Sequence, residues 1–384
     1  MKNLFSVDSK LPEINTSIFA IMSRMANEHN AINLSQGFPD FNCSNELIDL
    51  VNHFMNKGFN QYAPMPGTLE LRNEISKKIT RDYGKFYNPD TEISITAGAT
   101  QALFTAFSTI INPGDEVIIF EPAYDSYIPA IKLYGGVPVP ISLNENDFTI
   151  PWSLVEQVIT EKTKCIVINS PHNPTGTILS EEDITHLEDL VKDKNLFIIS
   201  DEVYEHIVFD NQKHFSISSS LELSKRSFII SSFGKTFHTT GWKIGYCCAP
   251  EFLMREFRKI HQFVVFAVNT PIQLAVAEFM QTESNIYSLN KFYEDKRNLF
   301  RRLLKDSKFI LRNCDGTYFQ LLDYSQISGN DDFKFAEFLT KEIGVAVIPL
   351  SPFYSKKYFS KLIRVCFAKQ DSILETAANK LNSI

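Results

Sequence analysis

The chain has 384 residues, of which 44% are hydrophobic and 22% are charged, and its formal net charge is −7 at pH 7. This length predicts about two domains and a core that needs no disulfide or metal to hold it together. The net negative charge and the lack of a long basic run argue against a nucleic-acid-binding surface. No stretch approaches the roughly 18 apolar residues of a membrane span. The six cysteines include no CxxC pair, which is typical of a cytoplasmic protein.

Short, continuous runs rich in Ile and Val recur through the middle of the chain, as expected for strands that are buried on both faces. The predicted strands are 93–96, 117–120, 165–169, 196–200, 228–232 and 244–248. Helical patterns lie between several of them, for example at 100–111 and 181–193. This alternation predicts a doubly wound, mostly parallel α/β sheet. Only about ten residues separate the last two strands, so 244–248 is predicted to run antiparallel to its neighbours.

The character of the sequence changes after about residue 285, and the change predicts a second, smaller α+β domain. Its predicted elements are helices at 286–308, 331–342 and 371–382 and strands near 317–323, 344–348 and 362–367. The first 35 or so residues have no clear place in the large sheet, and they form either an arm or part of the smaller domain. We therefore predict an N-terminal arm with part of the small domain (1–40), a large domain (41–285) and a small C-terminal domain (286–384).

Polar or small residues follow five of the predicted strands, at the edge where ligands bind in open α/β sheets. They are Gly98, Ala99 and Thr100, then Tyr124, then Asn173, then Asp201 and Tyr204, and finally Ser232 and Lys235. The helix that begins near Gly98 offers either a plain helix start or free amides for a phosphate. Residues 173–176, taken alone, fit a simple turn better than a binding site. Asp201 follows an apolar run, where a carboxylate is costly unless it caps a helix or faces a cation.

The immediate neighbours of Lys235 match two unrelated motifs. Residues 234–236 resemble the end of a phosphate-binding P-loop, but Ile229 stands where that motif needs its first glycine. Residues 232–235 fit the SxxK pattern of penicillin-interacting enzymes, but neither SDN nor KTG occurs in the chain. The lysine alone therefore identifies no function.

Taken together, motifs spread over most of the chain resemble one family, the class I aminotransferases of pyridoxal-phosphate (PLP) fold type I. The matching stretches are SQGFPD (35–40), QY (61–62), Gly67, GATQ (98–101), NSPHNPTG (169–176), SDEVY (200–204), SSFGKT (231–236), GWKIG (241–245) and IRV (363–365). Within the family the chain is similar to the bacterial methionine aminotransferases and to the kynurenine aminotransferase/glutamine transaminase K group. The resemblance implies a large domain with a mostly parallel, mixed seven-stranded sheet and a smaller α+β domain.

The resemblance also implies PLP as the cofactor and a role for each residue around its ring. Lys235 holds the cofactor as a Schiff base and, once released, moves the proton from the substrate Cα. Asp201 faces the ring nitrogen and keeps it protonated. Tyr204 and Asn173 hydrogen-bond the phenolate oxygen of the ring, and Tyr124 stacks on its face.

The remaining cofactor contacts implied by the resemblance concern the phosphate. It lies at the helix N-terminus formed by Gly98, Ala99 and Thr100, with Ser232 adding a hydroxyl. Lys243 supplies a charge where Arg is common in the family, and a lysine lacks the bidentate fork of arginine. Tyr62 corresponds to a tyrosine that reaches the phosphate from the neighbouring subunit, which implies a homodimer.

For the substrate, the resemblance implies that Arg364 binds the α-carboxylate, helped by Gly37 and Asn173. Phe19 and Phe38 are predicted walls of the side-chain pocket, and the apolar segment 261–270 is a further candidate. No second arginine is evident for a distal carboxylate. The predicted reaction is therefore transfer of an amino group from methionine or an aromatic or large neutral amino acid, glutamine and kynurenine included, to a 2-oxo acid.

Two other functions are compatible with the same scaffold. A cysteine-conjugate β-lyase would use the same lysine to eliminate a leaving group after Cα deprotonation. A PLP-binding transcription regulator would need a DNA-binding extension, and we expect none, because the chain has no basic stretch and little room before Ser35.

Overall fold

The computed structural model describes residues 7–356 and 358–384. Its strands are β1 (Ile32–Asn33), β2 (Ile93–Thr96), β3 (Glu116–Glu121), β4 (Val137–Ser142), β5 (Thr163–Asn169), β6 (Phe197–Asp201), β7 (Ser227–Ser232), β8 (Gly245–Cys248), β9 (Ile310–Leu311), β10 (Phe319–Asp323), β11 (Val345–Ala346), β12 (Ile348–Pro349) and β13 (Leu362–Cys366). Its α-helices are α1 (Ile18–Glu28), α2 (Asn45–Asn56), α3 (Leu69–Tyr83), α4 (Ala99–Ile110), α5 (Tyr127–Leu133), α6 (Trp152–Val158), α7 (Glu181–Val191), α8 (Leu221–Ser224), α9 (Phe233–Thr236), α10 (Glu251–Val264), α11 (Thr270–Phe279), α12 (Ser284–Leu303), α13 (Asp332–Phe338) and α14 (Asp371–Leu381). In this part of the chain no helix is both long and apolar enough to cross a bilayer.

A seven-stranded sheet forms the centre of the molecule, with the strand order β2-β8-β7-β6-β5-β3-β4. Strand β8 runs antiparallel to both of its neighbours, and the other neighbouring pairs are parallel. The predicted mostly parallel, mixed sheet is therefore confirmed, and so is the antiparallel direction of 244–248. Because β5, β6 and β7 are parallel neighbours, their carboxyl ends lie at the same edge of the sheet.

Strand β4 is the one strand of this sheet that the hydrophobic pattern did not predict. It contains Pro138 and Pro140 and pairs with β3 at the edge of the sheet. Proline cannot donate a ladder hydrogen bond, so it is tolerated on an edge strand and hides the strand pattern in the sequence.

The C-terminal part of the chain contains an antiparallel sheet with the order β12-β13-β10-β9. The predicted strand 344–348 is in fact two short strands, because β12 joins this sheet while β11 pairs with β1 in parallel. Helix α1 also packs against β11 and β12. The N-terminal segment therefore packs with the C-terminal part, and the domain boundaries at 40 and 285 stay a prediction.

Helix α4 follows β2 and begins at the same edge of the sheet where β5, β6 and β7 end. Its N-cap residue Gly98 has φ of +79°, and no side chain caps the first turn. The helix is anchored by apolar side chains such as Leu103 and Phe107, which are buried against the sheet and its neighbours. Its free N-terminal amides consequently lie in a fixed position beside the strand ends.

A buried ion pair connects α3 to the segment that follows β6. Lys78 Nζ contacts the carboxylate of Glu205, and both side chains are almost fully buried. The same carboxylate accepts hydrogen bonds from Tyr83 Oη at 2.7 Å, Tyr246 Oη at 2.9 Å and Ser231 Oγ at 2.8 Å. Such an arrangement satisfies the carboxylate completely, which is the condition for tolerating a charge in the interior.

Candidate active site

A cavity of about 330 Å³ lies at the carboxyl-end edge of the large sheet, between the sheet and the C-terminal part. Thirteen of the predicted site residues line it: Phe19, Gly37, Gly98, Ala99, Thr100, Tyr124, Asn173, Asp201, Tyr204, Ser232, Lys235, Lys243 and Arg364. They come from both ends of the chain and from five strand–helix connections. The cavity therefore brings together side chains that sequence reasoning placed in separate segments.

Lys235 lies on the short helix α9, directly after β7. Its Nζ donates hydrogen bonds to the hydroxyl of Tyr318 at 2.9 Å and to the backbone oxygen of Gly37 at 3.3 Å. Burial lowers the pKa of Lys235 to about 8, and the positive charges of Arg364 and Lys243 act in the same direction. A lysine with this pKa is a neutral, nucleophilic amine in about a tenth of molecules at pH 7, compared with fewer than about one in a thousand for an ordinary lysine.

Asp201 ends β6 and is 4% exposed. Its Oδ2 accepts a hydrogen bond of 2.7 Å from Tyr127 Oη, and its backbone oxygen accepts one of 2.9 Å from Asn169 Nδ2. Burial raises the pKa of Asp201 to about 6, although the hydrogen bond from Tyr127 opposes this shift. A cation placed against the carboxylate would offset the cost of its burial.

The N-terminus of α4 and Lys243 form a site for an anion. A Cβ added at Gly98 would lie 3.2 Å from Lys243 Nζ, so the ammonium group stands directly beside the first turn of the helix. A Cβ added at Gly245 would lie 3.0 Å from the backbone nitrogen of Ala99. Both glycines thus keep the helix amides and the lysine accessible. Free amides and a positive charge at a helix N-terminus are the usual partners of a phosphate.

Arg364 lies on β13 and is 1% exposed, so it is the largest fully buried side chain described. Its Nη1 donates to Asn173 Oδ1 at 2.8 Å and its Nη2 to the backbone oxygen of Ser35 at 3.1 Å, while its Nε has no hydrogen-bond partner. The guanidinium stacks on Phe319, with 3.8 Å from Cζ to the ring centroid. No carboxylate in 7–356 or 358–384 forms an ion pair with Arg364, so this buried cation is available to a negatively charged ligand.

One wall of the cavity comes from the N-terminal segment. Gln36 Nε2 donates a hydrogen bond of 3.0 Å to the backbone oxygen of Phe19, which ties the loop before Gly37 to α1. The ring of Phe19 contacts that of Phe353 edge to face at 5.9 Å and lies 5.2 Å from the Arg364 guanidinium. An apolar wall next to a buried cation suits a molecule with one anionic end and one apolar end.

Two predicted site residues and one predicted segment lie outside the cavity. Phe38 is 45% exposed and faces Lys369, whose Nζ donates to the backbone oxygen of Phe38 at 2.8 Å. Tyr62 is 83% exposed and its ring meets that of Phe266 at 5.3 Å. The segment 261–270 is partly on the outside, since Phe263 is 87% exposed whereas His261 is buried. Phe38, Tyr62 and Phe263 all present large aromatic rings to the surface.

Sequence reasoning missed the partners that hold the predicted residues in place. Tyr127 and Asn169 bind Asp201, Tyr318 binds Lys235, and Phe319 stacks on Arg364. Tyr127 and Asn169 stand in the strand–helix connections already singled out, which is the one signal that could have found them. Tyr318 and Phe319 come from the C-terminal part, and no local pattern relates them to Lys235 or Arg364.

The donor set fits one cofactor. A nucleophilic amine, a buried carboxylate and a helix N-terminus with a lysine match an aldehyde, a protonated ring nitrogen and a phosphate, which are the three polar features of PLP. A family model described as aminotransferase class I and II matches residues 29–381 of the chain. The chain belongs to this family. Its members use PLP, so PLP is the cofactor of this aminotransferase.

Several characterised relatives of this aminotransferase match it over nearly their whole length. The methionine aminotransferase of Escherichia coli is 45% identical over 377 residues, which cover 98% of both chains. A kynurenine–oxoglutarate transaminase of Dictyostelium discoideum is 33% identical, covering 99% of this chain and 97% of the relative. The crystal structure of E. coli YbdL, described as having a methionine aminotransferase function, superimposes with a TM-score of 0.97 over 99% of this chain and 100% of the other.

A second solved structure, the N-succinyldiaminopimelate aminotransferase of Mycobacterium tuberculosis, is 34% identical and superimposes with a TM-score of 0.95, covering 98% of this chain and 100% of the other. These matches confirm the resemblance and PLP fold type I. None of the relatives named here is a β-lyase, and nothing in the comparisons supports that alternative.

Proposed function

We propose that this aminotransferase moves the amino group of methionine, or of an aromatic or other large neutral amino acid, to a 2-oxo acid. One observation carries the proposal: Lys235, with its lowered pKa, shares a cavity with the buried carboxylate of Asp201 and the unpaired guanidinium of Arg364. The three groups match an amine that binds the cofactor, an anion for its ring and a cation for the substrate carboxylate.

In this proposal the residues near Lys235 bind the cofactor ring and move the substrate proton. PLP, when bound, supplies an aldehyde for an amine and a ring that draws electrons from the substrate Cα. Lys235 Nζ holds the cofactor and, when free, accepts the Cα proton and returns it. Asp201 keeps a proton on the ring nitrogen, and its own burial becomes favourable once that positive charge faces it. Asn173 and Tyr204 would donate hydrogen bonds to the ring oxygen, and Tyr124 would lie against the ring.

The first turn of α4 would hold the other end of the cofactor. The backbone amides of Ala99 and Thr100 and the hydroxyl of Ser232 would donate hydrogen bonds to the phosphate, and Lys243 would neutralise part of its charge, whereas the Gly98 amide donates to the backbone oxygen of Thr96 at 2.7 Å. The proximity of Lys243 Nζ to Gly98 supports this assignment.

The substrate carboxylate binds Arg364, with Asn173 and the Gly37 backbone beside it. Arg364 is the only arginine among the described residues that line the cavity. A donor with a second carboxylate would leave that charge uncompensated, whereas an apolar side chain can pack on Phe19, which lines the cavity. The 45% identity to a methionine aminotransferase supports methionine as one donor.

We further propose that the enzyme is a cytoplasmic homodimer. Free cysteines, five of them buried, suit a reducing compartment. Tyr62, Phe263, Val264 and Phe266 are large, exposed apolar side chains, and Tyr62 and Phe266 touch each other. Such a patch is typical of a protein interface. If it forms the dimer contact, Tyr62 reaches the phosphate of the neighbouring subunit, and light scattering of Phe263→Asp will show a monomer with weakened PLP binding.

A half-reaction tests the proposed function. Purified enzyme is mixed with single amino acids while the PLP absorbance is followed, and methionine is expected to bleach the band, with recovery on addition of a 2-oxo acid. Borohydride reduction followed by peptide mapping is expected to place the cofactor on Lys235. The assignment fails if Lys235→Ala retains an unshifted PLP band. Release of a thiol and pyruvate from a cysteine conjugate, faster than transamination, would instead identify a β-lyase.

A further inference from the structure

Two oxygen atoms hold the amine of Lys235, and one of them belongs to a side chain that the proposed function leaves unused. Lys235 Nζ donates to Tyr318 Oη at 2.9 Å and to the backbone oxygen of Gly37 at 3.3 Å. The Tyr318 hydroxyl itself donates to the same Gly37 oxygen. Its single proton is therefore committed, and the lone pairs of Oη are left to accept from the lysine.

This arrangement orients the amine. A neutral amine has two N–H groups and one lone pair, and here both N–H groups have acceptors, Tyr318 Oη and the Gly37 oxygen. The lone pair then occupies the remaining tetrahedral position and is not lost to a hydrogen bond. Gly37 alone would leave one N–H free and the amine able to rotate about the Cε–Nζ bond.

The side chain of Tyr318 is held rigidly by its packing. It is fully buried, and its ring meets those of Tyr204 at 5.2 Å and Phe319 at 4.9 Å edge to face. The residue before it, Thr317, accepts a hydrogen bond of 3.1 Å from the Phe319 backbone nitrogen, which fixes the turn into β10. A side chain packed in this way keeps its hydroxyl in one place whether or not the lysine is bound to it.

We propose that Tyr318 is a positioning residue that holds and orients the amine of Lys235 whenever that amine is free of the cofactor. The proposal rests on the proposed role of Lys235 and adds to it a residue from the C-terminal part. The charged and titratable groups that face Lys235 are Asp201, Arg364, Lys243, Cys366 and Tyr204. Among the described residues, only Tyr318 and Gly37 hydrogen-bond the amine; the other groups act on it through space.

A hydroxyl that accepts from an ammonium group stabilises the charged form, so its removal lowers the pKa of the lysine. The test uses the holoenzyme after an amino donor has converted it fully, since the lysine is then free. The enzyme is labelled with acetic anhydride over a range of pH, and the Lys235 peptide is quantified by mass spectrometry. In Tyr318→Phe the half-point of labelling is expected about one pH unit below that of wild type.

Tyr293→Phe is the matched control. Its ring lies 5.5 Å from that of Tyr318, and its hydroxyl is buried without a hydrogen-bond partner in the described chain. Deleting that hydroxyl removes the same atom from the same aromatic cluster without touching the lysine. The half-point in Tyr293→Phe is expected to equal that of wild type. Tyr318→Met, which also lacks the hydroxyl, replaces Tyr318→Phe if the latter does not fold.

The outcomes are distinct. The proposal is overturned if the pH half-point of Lys235 labelling is unchanged or raised in the variant without the Tyr318 hydroxyl. It is also overturned if Tyr293→Phe lowers this half-point equally, because such a shift would reflect loosened packing. Borohydride reduction of the wild type reports separately on the proposed function. If the reduced cofactor is attached to Lys235 but the half-points agree, only the role of Tyr318 fails. If it is attached elsewhere, the role of Lys235 itself fails.

Discussion

The hydroxyl of Tyr127 donates a hydrogen bond of 2.7 Å to Oδ2 of Asp201, and both side chains are buried. The bond favours the ionised carboxylate and so opposes the burial that raises the pKa of Asp201. In Tyr127→Phe that pKa is expected to rise further. In the cofactor-free enzyme the titration midpoint of the Asp201 carboxyl, followed by carbon NMR of labelled aspartate, should therefore move to higher pH by about one unit. A midpoint that stays in place, with Tyr293→Phe as control, would contradict the role of this bond.

Asp201→Asn is expected to separate stability from activity. The pKa of the Asp201 carboxyl is about 6 in the folded chain and about 3.9 in the unfolded chain, so the folded chain binds the proton more tightly. The contribution of Asp201 to the free energy of unfolding is therefore favourable at low pH and is lost as pH rises from about 4 to 6. At pH 8 the cofactor-free variant should be more stable than the cofactor-free wild type by about 1–3 kcal/mol. Urea denaturation measures this, and transamination should fall by about 100-fold or more.

Gly98→Ala tests the anion site against a matched control. Gly98 and Gly58 both have positive φ, +79° and +90°, so alanine strains the backbone at either position, by about 1–3 kcal/mol. Only at Gly98 does the new Cβ meet Lys243 Nζ, and nothing lies within 4 Å at Gly58. Gly98→Ala should therefore weaken PLP binding by about tenfold or more, whereas Gly58→Ala should lose stability alone. Equilibrium dialysis of PLP and thermal unfolding measure the two effects.

Arg364→Lys is expected to keep the charge but lose the bidentate fork. The KM of every amino donor should rise by about 100-fold, because each of them presents the same carboxylate. The affinity for PLP should stay the same, since Arg364 binds the substrate and not the cofactor in this proposal. A KM change confined to some donors would mean that Arg364 reads the side chain instead.

The buried pair of Lys78 and Glu205 should dominate the acid stability of the fold. Burial alone raises the pKa of Glu205, but Lys78 and His206 outweigh it and hold that pKa well below its ordinary value. The resulting stability is present above about pH 4.3 and is lost as pH falls further. Lys78→Met leaves the carboxylate uncompensated and should cost about 3–5 kcal/mol at pH 7. In urea denaturation this difference should shrink towards pH 3, whereas Lys77→Met, an exposed neighbour, should have little effect.

The sequence was most informative where function and backbone geometry depend on the same local residues. Asp201, Asn173 and Lys235 stand at strand ends that apolar runs and turn residues mark, so their meeting at one edge could be predicted. The partners Tyr318 and Phe319 could not, because packing of two distant parts of the chain brings them to Lys235 and Arg364. Strand β4 escaped for a different reason, since Pro138 and Pro140 are typical of turns and only its edge position permits them.

The pairing of β1 with β11 bears on how the protein is made. The residues of this chain that we propose to bind PLP have all been synthesised once Lys243 is added, but Arg364 follows about 120 residues later, roughly 6–24 s at about 5–20 residues per second. Until Val345 and Ala346 appear, β1 lacks its partner strand and α1 lacks the surface that covers Met22 and Ala26. The proposed cofactor edge can thus form in the nascent chain before the proposed substrate site, because Gly37 and Arg364 come together only after the C-terminal part has left the ribosome.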